Sequence, residues 1–142
     1  MSRKPVAALL LCLVGVVLGS VHAVADEAME QKAVTAAKAW LALIDSGDYE
    51  KSWNTAAAYF QNAVAQQQWQ QSLTAARKPL GQVVSRQLKA KHYTTSLPAA
   101  PDGQYVVIQY ETSFENKKSA VETITPMLNA DGQWRVAGYY IK

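Results

Sequence analysis

Cysteine is nearly missing from this chain: Cys12 is the only one in 142 residues, and it lies in an apolar run near the start. Arg3 and Lys4, then apolar residues from Val6 to Leu18, then small residues ending in Ala23-Val24-Ala25, have the three-part layout of a secretory signal peptide. The run is too short for a comfortable membrane span. The expectation is therefore a signal peptide over residues 1–25, cleaved after Ala25 or after Ala23, with an uncleaved amphipathic anchor as the alternative. Leu11 stands where a lipidation motif needs a small residue before the cysteine. Cleavage would leave no cysteine, excluding disulfides, thiolate catalysis and cysteine-ligated metals.

Histidine is also scarce. Only His92 lies beyond residue 25, and no His-x-x-x-His or similar spacing exists, so a zinc site lacks its usual donors. A dyad of His92 with Asp45 or Asp48 is conceivable, but nothing in the spacing joins them. At a strand end beside Lys89 and Lys91, His92 reads as an exposed titrating side chain. Strong charge of one sign is lacking too. Loss of Arg3 and Lys4 lowers the 14 basic residues by two against 11 acidic ones, a net of +1. The basic residues are scattered, which gives no nucleic-acid footprint. No Gly-rich phosphate loop, nucleophile elbow or paired-Asp metal motif is present. No cofactor is expected.

No repeat, Pro/Gly-rich linker or long charge run divides residues 26–142, so they are expected to form one domain with one core. Ala33, Ala37, Trp40, Leu41 and Ile44 keep the spacing of one helix face over residues 26–46, and Gly47 supplies the stop. Asp48 suits the N-cap of a second helix through about Phe60. Residues 61–64 read as a break, and a third helix is expected from about Ala65 to Arg77. The Gln-rich stretch within it is its solvated face, since Trp69 and Leu73 keep helical spacing through it. Trp40, Trp53 and Trp69 all sit on apolar stripes, which favours core packing over sugar or base stacking. Arg77, at a helix end, suits the last carbonyls and the helix dipole.

The remainder reads as strands: one over residues 82–93, a loop over 94–103, and a three-stranded meander over 104–142. Asp131-Gly132 suits a two-residue type I′ turn and Asn116-Lys117 a second tight turn. That register sets Glu111 opposite Glu122. One face then carries Ile108, Tyr110, Thr112, Phe114, Val121, Met127, Trp134, Val136 and Tyr140, and forms the core. The other carries Gln109, Glu111, Ser113, Glu122, Ile124, Leu128, Arg135, Tyr139 and Ile141. The fold class is α+β: three N-terminal helices packed on a four-stranded antiparallel meander.

Several segments resemble a known family. They are Trp40-Leu41 with Asp45, Gly47-Asp48-Tyr49, Arg77-Lys78-Pro79-Leu80-Gly81, Ser85-Arg86, Glu122-Thr123, Asp131-Gly132-Gln133-Trp134-Arg135-Val136 and Gly138-Tyr139. In this order they are similar to the secreted bacterial family named domain of unknown function 4019. That resemblance implies a periplasmic or secreted protein and carries no catalytic residues over. The order of elements is similar to the cone-shaped roll of nuclear-transport-factor-2-like and cystatin-like proteins, an analogy that does not decide function.

The mixed sheet face is the candidate site. Like charges directly opposite each other need neutralising, and Arg86 or Arg135 is expected to supply bidentate contacts to Glu111 and Glu122. The first expectation is a non-enzymatic binding or interaction module of the cell envelope. It would either form a homodimer through the face around Ile124, Leu128, Tyr139 and Ile141, or hold a small molecule between sheet and helices. The second is a cofactor-free enzyme transferring a proton with Glu111 or Glu122 as acid or base.

Overall fold

The computed structural model of the protein describes residues 18–142, with side chains from residue 21 onward. The charged start and most of the apolar run of the expected signal peptide lie outside the described residues. Helix α1 spans Leu18–Asp45 and is continuous through both expected cleavage positions. Its residues 21–28 are exposed, and the first buried side chain among its described residues is Ala33. No helix among the described residues is long and apolar enough to cross a membrane.

Gly47, at φ 78°, turns the chain out of α1. Asp48 then caps α2 (Tyr49–Asn54) by accepting a hydrogen bond from the Lys51 N–H at 3.3 Å. The expected single helix to Phe60 is two: α2, then α3 (Ala58–Ala63). The break falls at residues 55–57 because the Ala57 N–H leaves the helical ladder and donates to Val136 O at 2.8 Å. Residues 61–63, expected to break the helices, thus belong to α3. Helix α4 (Gln66–Ala76) follows, and Lys78–Leu80 form a short 3-10 turn.

Strands β1 (Val83–Thr94), β2 (Tyr105–Phe114), β3 (Lys117–Leu128) and β4 (Trp134–Ile141) form one antiparallel sheet in the order β1-β2-β3-β4. The architecture is α+β, with helices over one face of an open sheet. Trp40, Leu41 and Ile44 of α1 and Phe60, Trp69 and Leu73 share a core with Ile108, Tyr110, Ile124 and Val136. Three tryptophans on the helices also satisfy their N–H groups, whereas the buried indole N–H of Trp134 has no partner. Trp40 donates to Ser52 O at 2.7 Å, Trp69 to Ser52 Oγ at 3.0 Å, and half-buried Trp53 to Val64 O at 2.7 Å. Phe60 and Trp69 meet edge to face at 4.9 Å, adding about 0.5–1.5 kcal/mol beyond burial.

The sheet register differs from expectation at both hairpins. The first turn is Glu115-Asn116, so Phe114 pairs with Lys117, and a bulge then places Thr112 opposite Ala120. One extra residue enters β3 there, between Lys117 and Ala120. Glu122 consequently faces Tyr110, and Glu111 faces Val121. A one-residue slip exchanges the two faces of a strand. Glu122 and Ile124 therefore turn into the core, both 0% exposed, while Val121 turns outward.

At the second hairpin Asn129 and Gln133 enclose a three-residue loop. Gly132 N–H donates to Asn129 O at 2.9 Å, and Gly132, at φ 79°, takes the left-handed position of a turn closed by a bulge. A further bulge between Thr125 and Pro126 returns Ile124 opposite Tyr139. It also explains how a proline sits in an inner strand, since bulges are where sheets admit it.

Candidate functional site

Six elements send one polar side chain each to a single buried point. Asp45 ends α1, and Arg77 follows α4. Arg86 comes from β1, Thr112 from β2, Glu122 from β3 and Tyr139 from β4. Arg86 is the hub. Its Nη1 and Nη2 donate to the two Asp45 oxygens at 2.7 and 2.9 Å, while its Nε and Nη2 donate to Glu122 Oε1 and Oε2 at 2.7 and 3.2 Å. The guanidinium fork thus meets two carboxylates bidentately, the geometry in which such bonds are strongest. Arg77 adds a longer contact to Asp45 at 3.3 Å and donates to Gly81 O at 2.6 Å, with its guanidinium 4.6 Å from the Phe114 ring centroid.

Glu122 has no free oxygen. Thr112 Oγ1 donates to its Oε1 at 2.6 Å, and the Tyr139 hydroxyl makes a short bond to its Oε2. Two arginines and two carboxylates cancel formally. Burial lowers the Arg86 pKa, but its hydrogen bonds to Asp45 and Glu122 outweigh that and raise it. Burial, then the Glu122 charge, push the Tyr139 hydroxyl well above the usual tyrosine range. The buried Tyr110 hydroxyl, opposite Glu122, has no partner and is also raised, chiefly by burial.

Of the four polar residues expected to cluster, the structure brings together Arg86 and Glu122. Glu111 is exposed on the outer sheet face, opposite Val121 on one side and Gln87 on the other. Arg135 pairs with Asp131 across the last hairpin at 2.7 Å. The facing carboxylate pair is therefore not formed, and the proton-transfer reading loses its acid–base couple. Of the expected interface, Ile124 is fully buried, Tyr139 is committed to Glu122, and Leu128 and Ile141 are half-buried. They share the helix-covered face of the sheet, because the register slip carried them inward. His92 is exposed on β1, opposite Val107. Among the described residues no group of three or more His, Cys, Asp or Glu side chains gathers as a metal site.

Two clefts flank Arg77. One, of about 400 Å³, opens between α4 and β4, with Trp69, Leu73 and Leu80 along its apolar wall, Arg77 and Tyr139 within it, and Lys117 and Lys142 beside them. The other, of about 440 Å³, is more polar and exposes Asp45 beside Thr74 and Lys78. The charged cluster forms the partition between them.

Residues 36–139 match the family model described as a protein of unknown function, DUF4019. The chain belongs to the DUF4019 family. The matched span contains every member of the Arg86 cluster, from Asp45 to Tyr139. No curated protein matches the chain.

Proposed function

We propose that this DUF4019 protein is an exported, non-enzymatic binding module of the bacterial cell envelope, with the α4–β4 cleft as its binding site. The observation that carries this reading is the saturation of Glu122. Four hydrogen bonds, two from Arg86 and one each from Thr112 and Tyr139, occupy both its oxygens and leave no lone pair free to take a substrate proton. The cluster braces one wall of an apolar cleft, and such a cleft with a few convergent polar groups is the usual form of a ligand site.

Export is supported by the signal-like start and by the exposure of residues 21–28, so that a cut after Ala25 removes no buried side chain among those described in α1. Helices on one face of a four-stranded meander also suit a cone-like roll of the nuclear-transport-factor-2-like kind, which often encloses a cleft of this type. Native mass spectrometry of the exported, untagged protein tests the proposal. A bound mass is expected, and it should vanish in Ala76→Trp, which fills the cleft from an exposed helix position. A ligand-free monomer that also takes up no added small molecule or peptide would overturn it. A ligand-free dimer would move the function from the cleft to a subunit interface.

A further inference from the structure

The α4–β4 cleft is bounded on one side by four consecutive residues, Tyr139 to Lys142. Side chains alternate between the faces of a strand, so a cleft that meets four in succession lies along the strand's edge. The opposite wall, Trp69, Ser72, Leu73 and Ala76, is one face of α4 at helical spacing. Among the described residues the cleft is a groove between a helix and an uncovered sheet edge.

The polarity of that edge follows from the ladder. Val121 and Lys142 exchange both backbone hydrogen bonds, at 2.9 and 3.0 Å. In an antiparallel pair such bonded partners alternate with unbonded ones. With Glu122 opposite Ile141, Thr123 opposite Tyr140 and Ile124 opposite Tyr139, the N–H and C=O groups of Tyr139 and Ile141 point away from β3 and into the groove. Further up the same edge Val136 O is already taken by the Ala57 N–H. The other edge of the sheet is guarded differently: β1 carries two bulges, at Val84 and Lys89, which blunt edge pairing. β4 has no such guard between Tyr139 and Ile141.

We infer that the groove receives an extended segment of another protein, added to the sheet as a fifth strand on β4. This deepens the binding-module reading above and rests on it. An antiparallel addition exchanges two hydrogen bonds with Tyr139 and two with Ile141. Its residues opposite these positions share their face and direct side chains toward Trp69, Leu73 and Leu80, which selects apolar residues at alternate positions. The cleft holds Arg77, Lys117 and Lys142 and no acidic side chain. Arg77 is only 3% exposed, and its Nε has no hydrogen-bond partner. The charge complement is an acidic side chain beside the apolar pair. Main-chain bonds thus supply affinity while the wall and the cations supply choice, the division of labour expected of strand addition.

Selection of displayed random heptapeptides against the intact protein tests this. Enriched peptides should alternate apolar residues and carry Asp or Glu. A synthetic copy of the best one should slow amide exchange at Tyr139 and Ile141 by about tenfold or more while leaving Tyr140, already bonded to β3, unchanged. Lys117→Glu with Lys142→Glu, both at surface positions, should weaken that peptide by about tenfold or more. Absence of enrichment, or binding that leaves the Tyr139 and Ile141 amides unchanged, overturns the inference. If a small molecule is found in the cleft by native mass spectrometry but no peptide is enriched, the binding-module reading stands and strand addition falls. If neither binds, both fall.

Discussion

Two arginines in this protein hold carboxylates at the same distance and in opposite settings. Arg86 meets Asp45 and Glu122, and Arg135 meets Asp131, with a closest approach of 2.7 Å in each case. The Arg86 and Glu122 side chains are 16% and 0% exposed, whereas Arg135 and Asp131 are 36% and 53% exposed. In water an ion pair gains little, because solvent screens both charges and two long side chains lose freedom. Inside the fold the pair itself has small net value, yet each partner is indispensable to the other, since a lone buried charge is costly. The buried cluster therefore specifies how six elements meet, while the exposed pair only decorates a hairpin.

The largest test of that contrast is Arg86→Ala, which strands Glu122 and should cost about 3–5 kcal/mol in denaturant unfolding. Losing less than 1 kcal/mol there would mean the cluster is no more than a surface pair. Replacing both partners, Arg86→Met with Glu122→Leu, should destabilise less than the single Arg86→Ala change, because the unpaired charge goes with its mate. Double-mutant unfolding curves read this directly. Tyr139→Phe removes one donor to the carboxylate and keeps the ring against Trp40, 5.4 Å away, so a smaller cost of about 1–3 kcal/mol is expected.

The same contrast extends to pH. The Tyr139 pKa is raised in the fold, so its contribution is fully present below the unfolded tyrosine pKa of 10.0 and is lost as pH rises beyond it. Ultraviolet titration should show Tyr139 silent until the fold opens, and Tyr139→Phe should flatten the alkaline decline. Asp131 shifts the other way. Hydrogen bonds from Arg135 and then from the Gln133 N–H lower its pKa to about 2. Any stabilisation it gives is present above the ordinary aspartate pKa of 3.8 and fades as pH falls toward 2. Carbonyl NMR should find that low value. Asp131→Asn should nevertheless leave the unfolding midpoint at neutral pH unmoved, because the pair stands in solvent.

Much of this architecture was legible in the sequence. The Trp40 and Trp69 stripes, the Asp48 cap, the Gly47 stop and the meander order all follow from local chemistry, and the structure keeps them. What local chemistry does not contain is a count. Whether a hairpin loop holds two residues or three, and whether a strand carries one residue more than its partner, depends on twist and packing along the sheet. That count sent Glu122 and Ile124 inward and left Glu111 outside. The sequence offers Arg86 or Arg135 as a cation for Glu122, and Arg86 is the one that meets it, together with a second partner that the spacing does not reveal. Asp45 lies 41 positions away in sequence at the end of α1, and only the tertiary fold brings the two together. The two-residue register sets Tyr139 on the mixed face as part of an interface, whereas the bulged strand turns it inward to Glu122.

The extra residue between Lys117 and Ala120 also bears on how such proteins change. Residues 117–119 are exposed beside a tight turn, where insertions and deletions are ordinarily harmless. Here, deleting Ser119 while the turn stays in place only removes the bulge, since Phe114 still meets Lys117 and Thr112 still meets Ala120. Inserting one residue there, with turn and bulge kept, would instead draw Val121 and Thr123 to the inner face and turn Glu122 outward. A single gained codon in a surface hairpin would dissolve the charged centre without substituting any residue in it. The length of that hairpin is inherited information as much as the identity of Arg86 is.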